Sequence, residues 1–169
     1  SNLENNKLYL NKGNFQFEDI TEKSRTGGKK AWSTGVVMVD INSDRLLDIY
    51  VCNAGNIEGD DQKNELFINN GDMTFSEKAE EYGLADNGFT THAAFFDYDL
   101  DGDLDLYLVN TPIDFEYTTR IYSREGVSKN PKVLSFGSSD KLFKNDNGKF
   151  KDVGAESGMI AELSFGLNA

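Results

Sequence analysis

Along the stretch FFDYDLDGDLDLYLVN, five aspartates fall on alternate positions, Asp97, Asp99, Asp101, Asp103 and Asp105, with Gly102 among them. Carboxylates at that density either stay solvated in an acidic, Asx-rich turn or hold a cation. Counted from Asp97 in DYDLDGDLD, positions 1, 3, 5 and 9 are Asp97, Asp99, Asp101 and Asp105, and Asp103 at position 7 can offer its backbone carbonyl. All are hard oxygen donors. Calcium takes about six to eight such oxygens in a flexible geometry, and a glycine at position 6 permits the sharp turn that brings position 9 back to the ion. Magnesium demands a tighter octahedron and suits the loop less well. With no histidine or cysteine in the loop, zinc and copper lack their preferred donors. Without a cation, the crowded carboxylates would repel one another.

A second stretch, DINSDRLLD, keeps the same frame with Asp40, Asn42, Asp44, the carbonyl of Leu46, and Asp48. It has one carboxylate fewer, and Arg45 stands where the other loop has Gly102. A non-glycine residue held at positive φ costs on the order of 1–2 kcal/mol, so this is the weaker of two expected calcium sites. The EF-hand opens with a similar D-x-[DN]-x-[DN]-G but closes on a glutamate at position 12 between two helices. Here position 12 is Leu108 or Val51, and both flanks read as strands. The EF-hand reading therefore fails.

The elements that must carry these loops are repeated. LYLNKGNFQFEDIT from Leu8, LFINNGDMTFSEKA from Leu66 and LFKNDNGKFKDVGA from Leu142 each place an asparagine (Asn11, Asn69, Asn145), a glycine (Gly13, Gly71, Gly148) and a phenylalanine (Phe17, Phe75, Phe150) after an apolar run. Asn, Gly and Asp tolerate positive φ and bond their own backbone, so each segment reads as a tight β-hairpin. Asp40 and Asp97 are 57 positions apart, and Asn11 and Asn69 are 58 apart, so loop and hairpin share one period. Four short strands per repeat with no helical pattern give an all-β chain of four-stranded antiparallel β-propeller blades, a partial propeller.

The second and third hairpin asparagines are 76 positions apart. The surplus lies in residues 111–140, which contain both prolines and read as an insertion between blade strands, with Phe115, Tyr117 and Tyr122 as candidate contact residues. The expected layout is a half blade over residues 8–26, a blade over 32–84, a blade over 89–158 with the insertion, and the first strand of another over 163–169. A chain of this kind reads as a fragment of a longer propeller.

The 169 residues suit a single unit with a real core, and a formal net charge of −12 disfavours nucleic acid and anionic membrane surfaces as partners. No apolar run approaches the ~18 residues of a membrane span. Cys52 is the only cysteine and reads as a small core side chain, so there is no internal disulfide framework. His92 is the only histidine, with no nucleophile or base beside it in sequence, and it occupies the place of Gly35 in the previous repeat. It reads as a packed position at a strand start. Trp32, upstream of STGVV, reads as core in preference to a sugar platform.

The pattern AAFFDYDLDGDLDLYLVN followed by KLFKNDNGKFKDV resembles the FG-GAP or VCBS repeats, the calcium-binding propeller repeats of integrin α-subunit heads and of many bacterial surface proteins. It is especially similar to bacterial proteins that carry ASPIC/UnbV domains. The resemblance implies the ligands Asp97, Asp99, Asp101, Asp103 through its carbonyl and Asp105, then Asp40, Asn42, Asp44, Leu46 through its carbonyl and Asp48. It also implies an extracellular, cell-surface or periplasmic setting. The expected role is a calcium-stabilised recognition or scaffold module, not an enzyme, with protein or glycan ligands on its loops and self-association through exposed blade edges. The alternatives are a carbohydrate-active enzyme or lectin propeller, and a plain structural spacer.

Overall fold

The computed structural model describes residues 4–29, 32–54, 62–111 and 139–159. Phe115, Tyr117, Tyr122 and the strand expected over residues 163–169 lie outside the described residues. β1 (Tyr9–Gly13) and β2 (Gln16–Asp19) form a two-stranded hairpin. β3 (Ser33–Val39), β4 (Asp48–Asn53), β5 (Glu65–Asn69) and β6 (Phe75–Glu77) form a four-stranded antiparallel sheet in chain order. β7 (Thr90–Phe96), β8 (Asp105–Asn110), β9 (Lys141–Asp146) and β10 (Lys149–Asp152) repeat it. Each sheet is a meander whose first connection is an acidic loop and whose last is an Asn-Gly hairpin turn. This is the architecture of propeller blades.

The expected absence of helix needs correcting. A single-turn helix follows two of the hairpins, α1 (Thr21–Ser24) and α2 (Ala79–Tyr82). Each ends in a left-handed residue, Arg25 at φ 63° and Gly83 at φ 79°. A left-handed residue at that point lets its amide reach back to a carbonyl of the turn and stops the helix. Four residues are too few for a helical apolar period, so the pattern leaves no trace in the sequence.

The blades are held together by strands buried on both faces. Every residue of β4 is buried. Tyr50 and Cys52 point into a core shared with Leu66, Leu84, Ala93, Leu106, Leu108, Phe143 and Phe150 of both sheets. Ile49 and Val51, one residue out of phase, pack with Phe67 and Phe75 on the opposite face, where Leu8 from before the first hairpin joins them. That alternation is the period-2 consequence of a strand lying between two layers. The Tyr50 and Phe95 rings meet edge to face, 5.7 Å apart at 86°. Burial pushes the Cys52 thiol up to about 12, as for an inert core side chain.

β3 and β7 carry the same irregularity, a register shift between Ser33 and Gly35 and between Thr90 and His92. There the two blades touch: the Thr34 hydroxyl donates to the Thr90 backbone carbonyl at 2.5 Å. A Cβ on Gly35 would stand 2.8 Å from the Thr91 carbonyl oxygen. Gly35→Ala is therefore expected to destabilise the protein by about 1–3 kcal/mol, because a backbone carbonyl has to shift. A urea unfolding midpoint equal to that of the parent would contradict this. His92 sits just past the bulge of β7, opposite Val109, and is half-buried.

Trp32 is not core. It precedes β3 and is 50% exposed, in phase with Thr34, Val36 and Met38, also exposed. The out-of-phase residues Gly35, Val37 and Val39 are the half-buried ones, with Val37 and Val39 packed on the shared core. The apolar character of Trp32 could not reveal its phase, since a strand with apolar residues on both faces gives no signal for which face is covered.

Candidate metal centre

The acidic loops join β3 to β4 and β7 to β8, and their backbones are built alike. In the second loop the Asp101 and Gly102 amides donate to the two oxygens of Asp97 at 3.1 Å each. In the first, the Asp44 and Arg45 amides donate to Asp40 at 3.0 and 2.8 Å. The opening aspartate thus folds the loop over itself. Gly102 lies at φ 96° and Arg45 at φ 70°, as the shared frame requires, and position 4 is also left-handed in both loops, at Ser43 (φ 60°) and Leu100 (φ 63°). Only position 6 was legible beforehand, because only there, at Gly102, does a glycine mark the turn.

Leu100 is 86% exposed and has little packing to lose. Relief of the left-handed strain, reduced by the greater freedom of unfolded glycine, should make Leu100→Gly more stable by about 0.5–1 kcal/mol. Arg45→Gly should gain a similar amount. Denaturant unfolding without divalent ions checks both, and loss of stability in both variants would contradict the strain.

Position 9 is the most constrained residue of each loop. Asp48 and Asp105 are fully buried. Asp105 accepts the Tyr98 amide at 3.0 Å and the Asn145 amide at 2.8 Å. Asp48 accepts the Ile41 amide at 3.1 Å and the Asn69 amide at 2.8 Å. Burial raises the Asp48 carboxyl above its ordinary value, against the pull of the Asn69 and Ile41 amides. The hairpin asparagines complete the tie: Asn69 Nδ2 donates to the Leu47 carbonyl at 3.1 Å and Asn145 Nδ2 to the Leu104 carbonyl at 3.0 Å. Their Oδ1 atoms accept Gly71 and Gly148 amides. One asparagine therefore shapes its own turn and fastens that turn to the acidic loop, a role its local sequence does not disclose.

Among the described residues, Asp97, Asp99 and Asp105 form a group that could hold a metal ion, with one oxygen of each within 4.8 Å of the others. Of the residues expected to be ligands, Asp101 is not in that group: its Oδ1 accepts the Asp103 amide at 3.1 Å, and its Oδ2 takes the Lys144 ammonium at 3.3 Å. The same ammonium also bonds Asp99. Asp103 lines a cleft of about 310 Å³ together with Asn42, Ser43, Tyr82 and Asn147. In the first loop no three carboxylates come together. There Asn42 Nδ2 donates to Asp44 Oδ2 at 3.0 Å, while Asp44 Oδ1 accepts the Leu46 amide at 2.8 Å. The arrangement brings together one three-carboxylate group, and it lies in the second loop.

Two stacked antiparallel blades, each with an acidic loop laced to its outer hairpin, define a β-propeller repeat protein. Residues 1–51 and 54–108, more than half of the chain, match the FG-GAP-like repeat. The chain belongs to the FG-GAP-like repeat family. No curated protein matches it. Among the described residues no helix is long and apolar enough to cross a membrane.

Proposed function

We propose that this protein is a calcium-binding repeat module of an extracellular or cell-surface protein, with calcium fastening the outer hairpin of each blade. The observation that carries this reading is the convergence of Asp97, Asp99 and Asp105 within 4.8 Å in an FG-GAP-like repeat. The donors fit the ion: all are hard carboxylate oxygens, they lie on a turn closed by Gly102, and Asp105 is held in place by two backbone amides. Asp97, Asp99 and Asp105 would hold the cation, joined by Asp101 and by the carbonyl of Asp103. A bound divalent ion would supply charge neutralisation and a cross-link between the start and end of the loop. Asp40, Asn42, Asp44, the Leu46 carbonyl and Asp48 would form the weaker site.

The reading makes the protein a recognition or scaffold element and not an enzyme. Its expected partners are proteins or glycans met through loops, or further copies met through blade edges, and it would not bind nucleic acid or insert into a membrane. Extracellular calcium modules bind at ~10⁻⁴ to 10⁻³ M, so ~1 mM calcium should add about 0.4–1.4 kcal/mol per site by mass action. A thermal melt of chelator-stripped protein should therefore shift up by a few degrees with calcium and by much less in Asp99→Ala. Identical melts with and without calcium would sink the proposal.

A further inference from the structure

Lys144 lies on β9 one residue before Asn145, and the equivalent places in the other two hairpins hold Leu10 and Ile68. A half-buried aliphatic position has thus become a cation in the one repeat whose acidic loop gathers three carboxylates. The lysine reaches 45 residues back along the chain to bond Asp99, and its ammonium stands 3.3 Å from Asp101 Oδ2. It therefore bridges positions 3 and 5 of the loop, and of its two partners Asp101 lies outside the group formed by Asp97, Asp99 and Asp105. The first loop has Ile68 at this place, and there Asn42 and Asp44 bond each other instead.

We propose that Lys144 is a resident cation of the second acidic loop, which a divalent ion must displace from Asp99 and Asp101 before both carboxylates are free to bind it. This rests on the calcium reading above and adds to it a built-in competitor. An ammonium on these carboxylates opposes a divalent ion, because at a few ångströms the repulsion between the two cations is comparable to the attraction of the divalent ion for a single carboxylate. In calcium-free protein the ammonium relieves repulsion among the carboxylates and keeps the loop on its hairpin. When calcium enters, the lysine swings into solvent, so affinity is lowered by the value of the ion pairs that must break. The loop richer in carboxylates is thereby kept from binding as tightly as its charge alone would allow.

The test is calorimetric titration of the full chain with calcium chloride, comparing the parent with Lys144→Met, Lys144→Arg and Lys149→Met. Lys149 lies in the same hairpin but donates to the Glu81 carbonyl instead of the loop, so it controls for net charge. Lys144→Met is expected to bind calcium roughly 3- to 10-fold more tightly, a range set by the modest worth of exposed ion pairs. Lys144→Arg and Lys149→Met should stay within about 2-fold of the parent on the same scale. An unchanged affinity in Lys144→Met, or equal tightening in Lys149→Met, overturns the proposal while leaving the calcium reading standing. No binding by the parent or by Lys144→Met overturns both. Should Lys144→Met fail to fold, amine acetylation of the parent read by mass spectrometry decides: calcium should speed the labelling of Lys144, and an unchanged rate overturns the displacement.

Discussion

Asp105→Ala should lose about 2–4 kcal/mol of stability in chelator, before any question of calcium arises, because it removes a buried carboxylate that accepts two backbone amides. Those amides belong to Tyr98, in the acidic loop, and Asn145, on the hairpin. The carboxylate is fully buried and joins two segments 40 residues apart. Asp48→Ala should behave in the same way through Ile41 and Asn69. Asp99→Ala should differ in kind. Its partner in the structure is the exposed ammonium of Lys144, and exposed pairs contribute about 0.2–1 kcal/mol, so the metal-free protein should scarcely notice. Urea unfolding in chelator, run beside calcium melts, separates the two roles. Position 9 would be structural first and ligand second, and position 3 chiefly a ligand. A metal-free Asp105→Ala as stable as the parent would refute the structural role.

Asn64→Ala should be the second large effect, again about 2–4 kcal/mol. Asn64 is 1% exposed and satisfied at every turn. Its Oδ1 accepts the Asn53 amide at 2.8 Å, and its Nδ2 donates to Tyr50 Oη at 3.0 Å and Thr90 Oγ1 at 2.9 Å. Tyr50 Oη in turn donates to the Leu84 carbonyl at 3.0 Å. The side chain, one residue before β5, thus links β4 of its own blade to the first strand of the next. Truncation leaves the Asn53 amide and two hydroxyls short of partners inside the core, where such groups are costly. The other blade shows the same device with an acid: Asp140 accepts the Asn110 amide at 2.9 Å and the Tyr107 hydroxyl at 2.7 Å. A denaturation midpoint within error of the parent would contradict the account of the network.

How much of this was legible depended on distance along the chain. Hairpins and acidic loops announce themselves locally, since Asn-Gly turns and alternating aspartates are short-range chemistry and recur at one period. The convergence of Asp97, Asp99 and Asp105 follows from such a frame. Asn69 and Asn145 gave themselves away as turn residues but not as the fasteners of Asp48 and Asp105, because that role appears only once β4 meets β5 and β8 meets β9. Lys144 was silent for the same reason: its partners lie 43 and 45 residues upstream. The Asn64 and Asp140 networks are likewise assembled by strand pairing. Trp32 misled because hydrophobicity reports what can be buried and says nothing of which strand face meets a neighbour. The single-turn helices were too short to carry a period.

Calcium binding by the Asp97–Asp105 loop, the claim on which the proposed function stands, is read by a calcium titration followed by amide NMR on the intact, chelator-stripped protein. The amides of Tyr98, Asp101, Gly102 and Asp103 should shift saturably with a midpoint at about 0.1–1 mM calcium, the range of extracellular modules. The amides of Asp44, Arg45 and Leu46 should follow only at higher concentration, and Asp99→Ala should abolish the first set of shifts. Amides of the Asp97–Asp105 loop that stay still throughout, or that move no less in Asp99→Ala, would contradict the claim.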